Sequence, residues 1–463
     1  MAASCGKEYA LSDYLLELGR RPLARKLLRQ LHLPLPIPEL LRRSDAPWGD
    51  QDLRGVHCAI GGGRQAPLTP LLKHIVKAAG AELTEGLPTT PLHAIVFDGS
   101  GLTQSADLGA LYDLIKPRLR ALATGGRVLL IGVDQGSAAS PEAAACSGAL
   151  IGFGKSLAKE IGRKGATCQI LLLQEQANNA AALTAPVVFF LSARSAFITG
   201  QVVRLGEAPP DGVTTLSRSL AKRTALVTGA AHGIGAAICR HLAAEGVEVF
   251  GHDRPQEKDA LAAVMEEVRG TSLLADLLDP HGARLLLEQI ESTVGPLDIL
   301  INNAGITRDK MLGNMPRDFW DDTLAVNLGV PLGVTEALLA KGSSIKNGGR
   351  IVFMSSIAGL AGNAGQTNYA AAKAGLASYV KAAAAAHAER EITINALAPG
   401  FIETRMTQTM PVAMREVARR FNSLKQSGQP DDVAQAAVFL TLPGAASVSG
   451  EVLRVCGQNL IGA

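Results

Sequence analysis

Aromatic residues make up only 4% of this 463-residue chain, and its formal net charge is +3. So little stacking surface and so weak a field exclude nucleic acid as a general partner. Cysteine is scarce and scattered. Cys5, Cys58, Cys146, Cys168, Cys239 and Cys456 form no Cys-x-x-Cys pair and no cluster with histidine. That spacing argues against a zinc site or a disulfide framework and for reduced, buried thiols. No apolar run approaches the roughly 18 residues of a membrane span. The N-terminal Met-Ala-Ala-Ser-Cys-Gly-Lys-Glu-Tyr carries charge where a secretory signal needs an apolar core. The expectation is a cytoplasmic protein with no membrane span and no bound metal.

What is plentiful is hydrophobic sequence, at 47%, and glycine, with 49 residues. A chain of this length exceeds one ordinary core, so two domains are expected. In the second half short apolar strands alternate with helical stretches. The strands read as Thr224–Thr228, Val247–Phe250, Ser272–Ala275, Leu297–Ile301, Arg350–Met354, Ile392–Leu397 and Val452–Val455. Such alternation predicts an α/β fold, a doubly wound parallel sheet of Rossmann-like type.

The first half echoes the second. Gly125-Gly-Arg-Val-Leu-Leu-Ile131 parallels Gly348-Gly-Arg-Ile-Val-Phe-Met354, and the stretch from Phe190 to Gly206 parallels that from Phe439 to Gly457. An internal duplication is inferred, giving two Rossmann-like domains of which the first is degenerate. Pro67 stands where its first helix should open on glycine, and the counterparts of Tyr369 and Lys373 are about Ala143 and Ser147. The piece between its second and fourth strands is too short for another strand and helix. The expected organisation is a helical and proline-rich extension over 1–52, with Leu33-Pro-Leu-Pro-Ile-Pro38 extended across another surface. A degenerate domain without catalytic residues follows over 53–210, then a linker over 211–221 and a catalytic domain over 222–463.

Gly229, Gly233 and Gly235 follow a strand and open a helix, with His232 and Ile234 between them. Helix N-terminal amides favour an anion there, so this turn is the expected seat of a dinucleotide diphosphate. Asp253, just past the second strand, suits ribose hydroxyls and repels a 2′-phosphate, which favours NAD(H) over NADP(H). His252 and Arg254 beside it argue the other way. Tyr369 is the candidate proton donor to a carbonyl oxygen. Lys373, one helical turn on, is expected to lower its pKa from about 10. Ser356 is expected to orient the substrate oxygen, and Asn327 to hold a water linking Lys373 to solvent. From Arg405 to Lys425 a segment rich in Arg405, Arg415, Arg419 and Arg420, with Met406 among them, reads as a mobile substrate lid suited to the phosphates of CoA or a carrier protein.

From about Lys222 to Ala463 the chain resembles the short-chain dehydrogenase/reductase superfamily. Gly362-Asn-Ala-Gly-Gln-Thr-Asn-Tyr369 and Ala398-Pro-Gly-Phe-Ile-Glu-Thr404 are similar to the 3-oxoacyl-[acyl-carrier-protein] reductases. The paired architecture and the ending Cys456–Ala463 are similar to their long two-domain form. That resemblance implies a flavodoxin-like first domain, NADH as cofactor and a homodimer. It implies an adenosine role for Asn303, Ala304 and Gly305, an adenine contact at Asp276 with Leu277 beside it, and a nicotinamide flanked by Pro399, Gly400, Ile402 and Thr404. It implies reduction of 3-oxoacyl thioesters of acyl carrier protein or CoA in fatty-acid metabolism. The alternative within the same superfamily is a 3-hydroxyacyl-CoA, steroid or polyol dehydrogenase. Arg390 lies where relatives carry a basic residue for docking an acidic carrier, but the second such position is Asn347.

Overall fold

The apolar runs punctuated by glycine become strands, and every strand pairs in parallel with its neighbours. The computed structural model describes residues 38–208, 212–340 and 344–459, with Asp13 and Leu16 in addition. The expected helical stretch before Pro38 and the prolyl run over 33–37 lie outside the described residues.

In the first half the strands are β1 (His57–Gly62), β2 (Glu82–Leu83), β3 (Leu92–Asp98), β4 (Leu122–Val133), β5 (Thr167–Leu173) and β6 (Val202–Leu205). They lie in the order β2-β1-β3-β4-β5-β6, the flavodoxin-type order with one strand added at the edge. Helices α1 (Thr69–Ala78), α2 (Gly109–Leu119), α3 (Pro141–Ile161) and α4 (Ala180–Leu191) connect them. Pro141 opens α3 where its missing N–H is no loss, and Ser140 caps it by accepting from the Ala143 amide at 3.1 Å.

The second half contributes β7 (Thr224–Thr228), β8 (Glu248–Asp253), β9 (Thr271–Leu274), β10 (Leu297–Asn302), β11 (Ile345–Met354), β12 (Thr393–Pro399) and β13 (Val452–Val455). Their order is β13-β12-β11-β10-β7-β8-β9. Strand order reverses between β7 and β10, the switch point where open parallel sheets form a crevice at their carboxyl ends. The helices are α5 (Gly233–Ala244), α6 (Lys258–Val268), α7 (Gly282–Gln289), α8 (Arg317–Leu324), α9 (Val330–Leu339), α10 (Ile357–Ala361), α11 (Thr367–Ala386), α12 (Arg405–Gln408), α13 (Val412–Arg420) and α14 (Pro430–Thr441).

Matching elements of the two halves meet. One hydrophobic core runs through α4 and α14 and continues into both sheets. The Gly206 amide donates to Ser447 O at 2.7 Å, and the Gly457 amide donates to Phe197 O at 2.8 Å. Residues 38–52 strap across this junction. Arg43 pairs with Asp432, the Trp48 amide donates to Glu245, and buried Arg194 binds Asp52, two main-chain carbonyls and Gln435. In the first half Ala143 and Ser147 are buried, and the Ser147 hydroxyl donates to Ala143 O, so this face carries no exposed proton donor. The five cysteines among the described residues are free and buried.

Candidate active site

The glycine turn is shaped by close approach. Gly229 and Gly233 adopt φ of +68° and +54°, which L side chains rarely tolerate. A Cβ on Gly235 would stand 2.0 Å from Gly229 O, so that position admits only glycine. Asn303 staples the turn from the end of β10: its Nδ2 donates to Thr228 O and Gly229 O, both at 3.0 Å. The Thr228 hydroxyl in turn accepts from the amides of Asn303 and Ala304. The first amides of α5 are thereby held toward the crevice.

That crevice is a cleft of about 540 Å³ at the carboxyl ends of the strands. Gly229, His232, Gly233 and Ile234 line it from the turn, and Asn303, Ala304 and Gly305 from the end of β10. At one end Asp253, Asp276 and Leu277 contribute; at the other Pro399, Gly400, Ile402, Thr404, Arg405 and Met406 do, with Ser356, Tyr369 and Lys373 at its floor. Gly235 and Asn327 lie behind this wall. The Asn327 oxygen would meet a Cβ on Gly305 at 2.6 Å.

The Asp253 carboxylate accepts from the amides of Ala231 and Arg254 at 3.0 and 2.9 Å, which fixes it while leaving lone pairs free. Arg254 and His232 both turn to Glu257, at 2.8 and 2.9 Å. Those two partners hold the Glu257 carboxyl below its ordinary range, the Arg254 hydrogen bond foremost. His252 is buried, donates to or accepts nothing through Nδ1, and is pushed toward its neutral form by burial.

At the floor, Ser356 caps α10 by accepting from the Ala358 amide at 3.1 Å, with Tyr369 beside it lining the same end of the cleft. Tyr369 is part-exposed to the cleft. Burial raises its pKa, against which Ser356 works; Asp309 raises it further. The expectation that Lys373 lowers the Tyr369 pKa is therefore not met. Lys373 is itself buried, its Nζ donates to Met354 O at 2.8 Å, and desolvation pulls its pKa down to about 7. An amine so close to neutrality at ordinary pH is a weak source of positive field. Asn327 sits in a π-turn over Ala325–Gly329, a local break in the helical ladder common at functional sites. Its side chain is spent on the backbone, donating to Ile306 O and Thr323 O and accepting from the Ile306 amide. Any water held here needs a main-chain partner.

The lid divides. Arg405 and Met406 reach the cleft. Arg419 is buried between Glu403, at 2.7 Å, and Glu416, while Arg420 pairs with Asp13 and Glu416. Arg415 is buried, and its Nε and Nη1 find no hydrogen-bond partner among the described residues. The expected row of phosphate-facing arginines shrinks to one, because Arg419 and Arg420 are held in ion pairs and Arg415 is buried. Arg390 likewise donates to Asn347, Leu339 O and Ile345 O, a structural task that ties down the expected carrier-docking cation.

Residues 229–457 match the family model described as enoyl-(acyl carrier protein) reductase. The chain is 40% identical over 241 residues to the 3-oxoacyl-[acyl-carrier-protein] reductase FabG of Vibrio harveyi, covering 52% of this chain and 98% of that one. It is 41% identical over 242 residues to the FabG of Pseudomonas aeruginosa, with the same coverage. The chain belongs to the short-chain dehydrogenase/reductase superfamily. Among solved structures, an angucycline C-6 ketoreductase with bound NADP is 28% identical, with a TM-score of 0.49 over 52% of this chain and 97% of that one.

As a member of this superfamily the chain is an NAD(P)-dependent oxidoreductase acting on an alcohol or ketone. The dinucleotide fits the residues present: a glycine turn too tight for side chains, a fixed carboxylate at the adenosine end, and a buried amine at the other. Glu257 carries no mark in the sequence beyond following Asp253 by one short turn, yet it takes both Arg254 and the His232 ring. Met354, Ser355 and Val326 also line the cleft without having been singled out. Among the described residues no helix is long and apolar enough to cross a membrane, and no group of His, Cys, Asp and Glu is placed to hold a metal ion.

Proposed function

We propose that this enzyme reduces 3-oxoacyl thioesters, carried by CoA or acyl carrier protein, to 3-hydroxyacyl thioesters with NADH, as a cytoplasmic homodimer serving fatty-acid metabolism. Residues 222–463 form the catalytic unit, and residues 53–210 a non-catalytic scaffold. Asn327, Ser356, Tyr369 and Lys373 are the working set. The observation that carries the proposal is the floor of the cleft, lined by Ser356, Tyr369 and Lys373 together, with buried Lys373 donating to Met354 O at 2.8 Å.

A bound nicotinamide supplies the hydride. Tyr369, protonated at neutral pH like any tyrosine, gives its proton to the carbonyl oxygen, and Ser356 positions that oxygen. Lys373 exchanges protons readily at neutral pH and returns one to the tyrosine oxygen. Preference for NADH is supported by charge. Asp253, fixed at the adenosine end of the cleft, repels a 2′-phosphate, Arg254 beside it is committed to Glu257, and burial keeps His252 neutral. Substrate class is supported by the FabG relatives' names and by the exposed Met406 at the cleft.

The test is a steady-state panel of NADH and NADPH against acetoacetyl-CoA, longer 3-oxoacyl-CoAs, a steroid and a sugar alcohol. NADH with 3-oxoacyl thioesters is expected to give the highest kcat/KM, and Tyr369→Phe to cost about 10² to 10⁴-fold in turnover with NADH binding intact. Higher kcat/KM with a steroid or polyol, or full turnover in Tyr369→Phe, overturns the proposal.

A further inference from the structure

The sequence assigns Arg405 to a substrate lid, but its surroundings belong to the cofactor. Its Nη1 lies 2.7 Å from His232 Nε2, and His232 immediately precedes α5 in the glycine turn. The backbones agree: a Cβ built on Gly233 would stand 3.4 Å from Thr404 Cγ2. The start of α12 therefore faces the start of α5 across the narrow part of the cleft.

The Arg405–His232 contact is a compromise. His232 Nε2 is also 2.9 Å from Glu257 Oε2. One ring nitrogen carries either a proton or a lone pair, so it cannot accept from the guanidinium and donate to the carboxylate together. A stronger acceptor beside Arg405 would release both groups. The rest of the cleft offers a diphosphate little positive charge. Arg254 is held by Glu257, Lys373 is buried and donates to Met354 O, and His252 is kept neutral by burial. Asp253, Glu257 and Asp276 add negative charge to the same end. Arg419 and Arg420 are locked in ion pairs away from it. Arg405 alone among the lid arginines lines the cleft, and it is exposed.

We propose that Arg405 is a ligand of the dinucleotide diphosphate, resting on His232 when the cofactor is absent and exchanging that ring for diphosphate oxygens when it binds. The exchange ties α12 to the occupied site, so cofactor binding orders the entrance of the substrate lid. A guanidinium also matches phosphate geometry better than the ring it leaves. This rests on the reading of the cleft as a dinucleotide site.

The experiment is direct binding of NADH to the full chain by fluorescence titration, without acyl substrate, at low and high salt. Arg405→Ala is expected to raise the NADH Kd about ten-fold or more and to flatten its salt dependence, with Arg405→Lys falling between. Competition by ADP-ribose is expected to weaken in parallel. An unchanged NADH Kd in Arg405→Ala overturns the proposal. If the variant instead raises KM for acetoacetyl-CoA but not for a phosphate-free acetoacetyl thioester, Arg405 serves the substrate. Wild-type protein that binds neither NADH nor NADPH sinks the dinucleotide reading itself, an outcome distinct from a variant that matches a wild type that binds.

Discussion

Phe189 and Phe439 stack face to face, with ring centroids 4.2 Å apart and planes 1° from parallel. Each holds the same place in its own half, eight residues before Phe197 and Ser447, the two residues whose carbonyls accept the exchanged Gly457 and Gly206 amides. The exchange is reciprocal to within one residue, Gly206 lying nine residues after Phe197 and Gly457 ten after Ser447, as where a patch meets its own copy. Here the two copies sit on one chain. The first half, with buried Ala143 and Ser147 on the face matching Tyr369 and Lys373, packs on the second through these matching elements.

A continuous core at that junction means the halves share stability. Phe189→Ala and Phe439→Ala are each expected to cost about 3–5 kcal/mol, and a double-mutant cycle to return a coupling of about 0.5–1.5 kcal/mol for the ring pair. Urea unfolding followed by circular dichroism and by NADH binding should lose both signals at one lowered midpoint. If Phe189→Ala leaves the loss of NADH binding where it was, the cores are independent and the junction is only a contact.

Much of this was open to a reader of the sequence. The second-half strands fall within a few residues of their apolar runs because a buried parallel strand needs continuous hydrophobicity and glycine or charge to end it. Tyr369 and Lys373 declare their shared helical face by spacing alone. What stayed hidden depends on partners distant in the chain. The lid arginines look like a phosphate trap because a count of charges cannot see Glu403 or Asp13, and Asp13 lies 407 residues from Arg420. Lys373 reads in the sequence as a cation that lowers the Tyr369 pKa, because burial is a tertiary property that reverses the sign of the reasoning. The Asn327 side chain was given to a water because the π-turn that occupies it leaves no mark in Leu324-Ala-Val-Asn-Leu328.

Lys373 is expected to serve catalysis at the expense of stability. Its folded pKa of about 7 lies below the ordinary 10.5, so between those values the unfolded chain binds the extra proton and stability rises with pH. Below about 7 both states are protonated and the burial cost is fully present. Lys373→Met should therefore raise Tm, with the gain largest below pH 7 and shrinking as pH climbs toward 10.5, while turnover falls about 10²-fold or more. Thermal unfolding across that range, beside the kcat of acetoacetyl-CoA reduction, measures both. A Tm gain that grows with pH contradicts the assignment of a depressed lysine.

The buried Glu403–Arg419 pair anchors the far end of the lid, whereas Arg405 joins its near end to the cofactor seat, so the two ends should respond differently to mutation. Glu403 follows Ile402 of the cleft, and Arg419 lies in the last turn of α13, so their 2.7 Å contact pins the far end of the lid to the strand side of the site. Removing one charge leaves the other buried without its partner, which typically costs about 3–5 kcal/mol, less here because Glu416 also holds Arg419. Glu403→Gln is expected to lower Tm, speed proteolytic cleavage within residues 405–420, and raise KM for acyl thioesters several-fold. The NADH Kd should stay within about two-fold, because Arg405 and the glycine turn are untouched. Limited proteolysis with paired NADH and acetoacetyl-CoA titrations decides it. If NADH affinity falls as far as acyl affinity, lid and cofactor seat move as one body, and the anchoring role given to Arg419 is wrong.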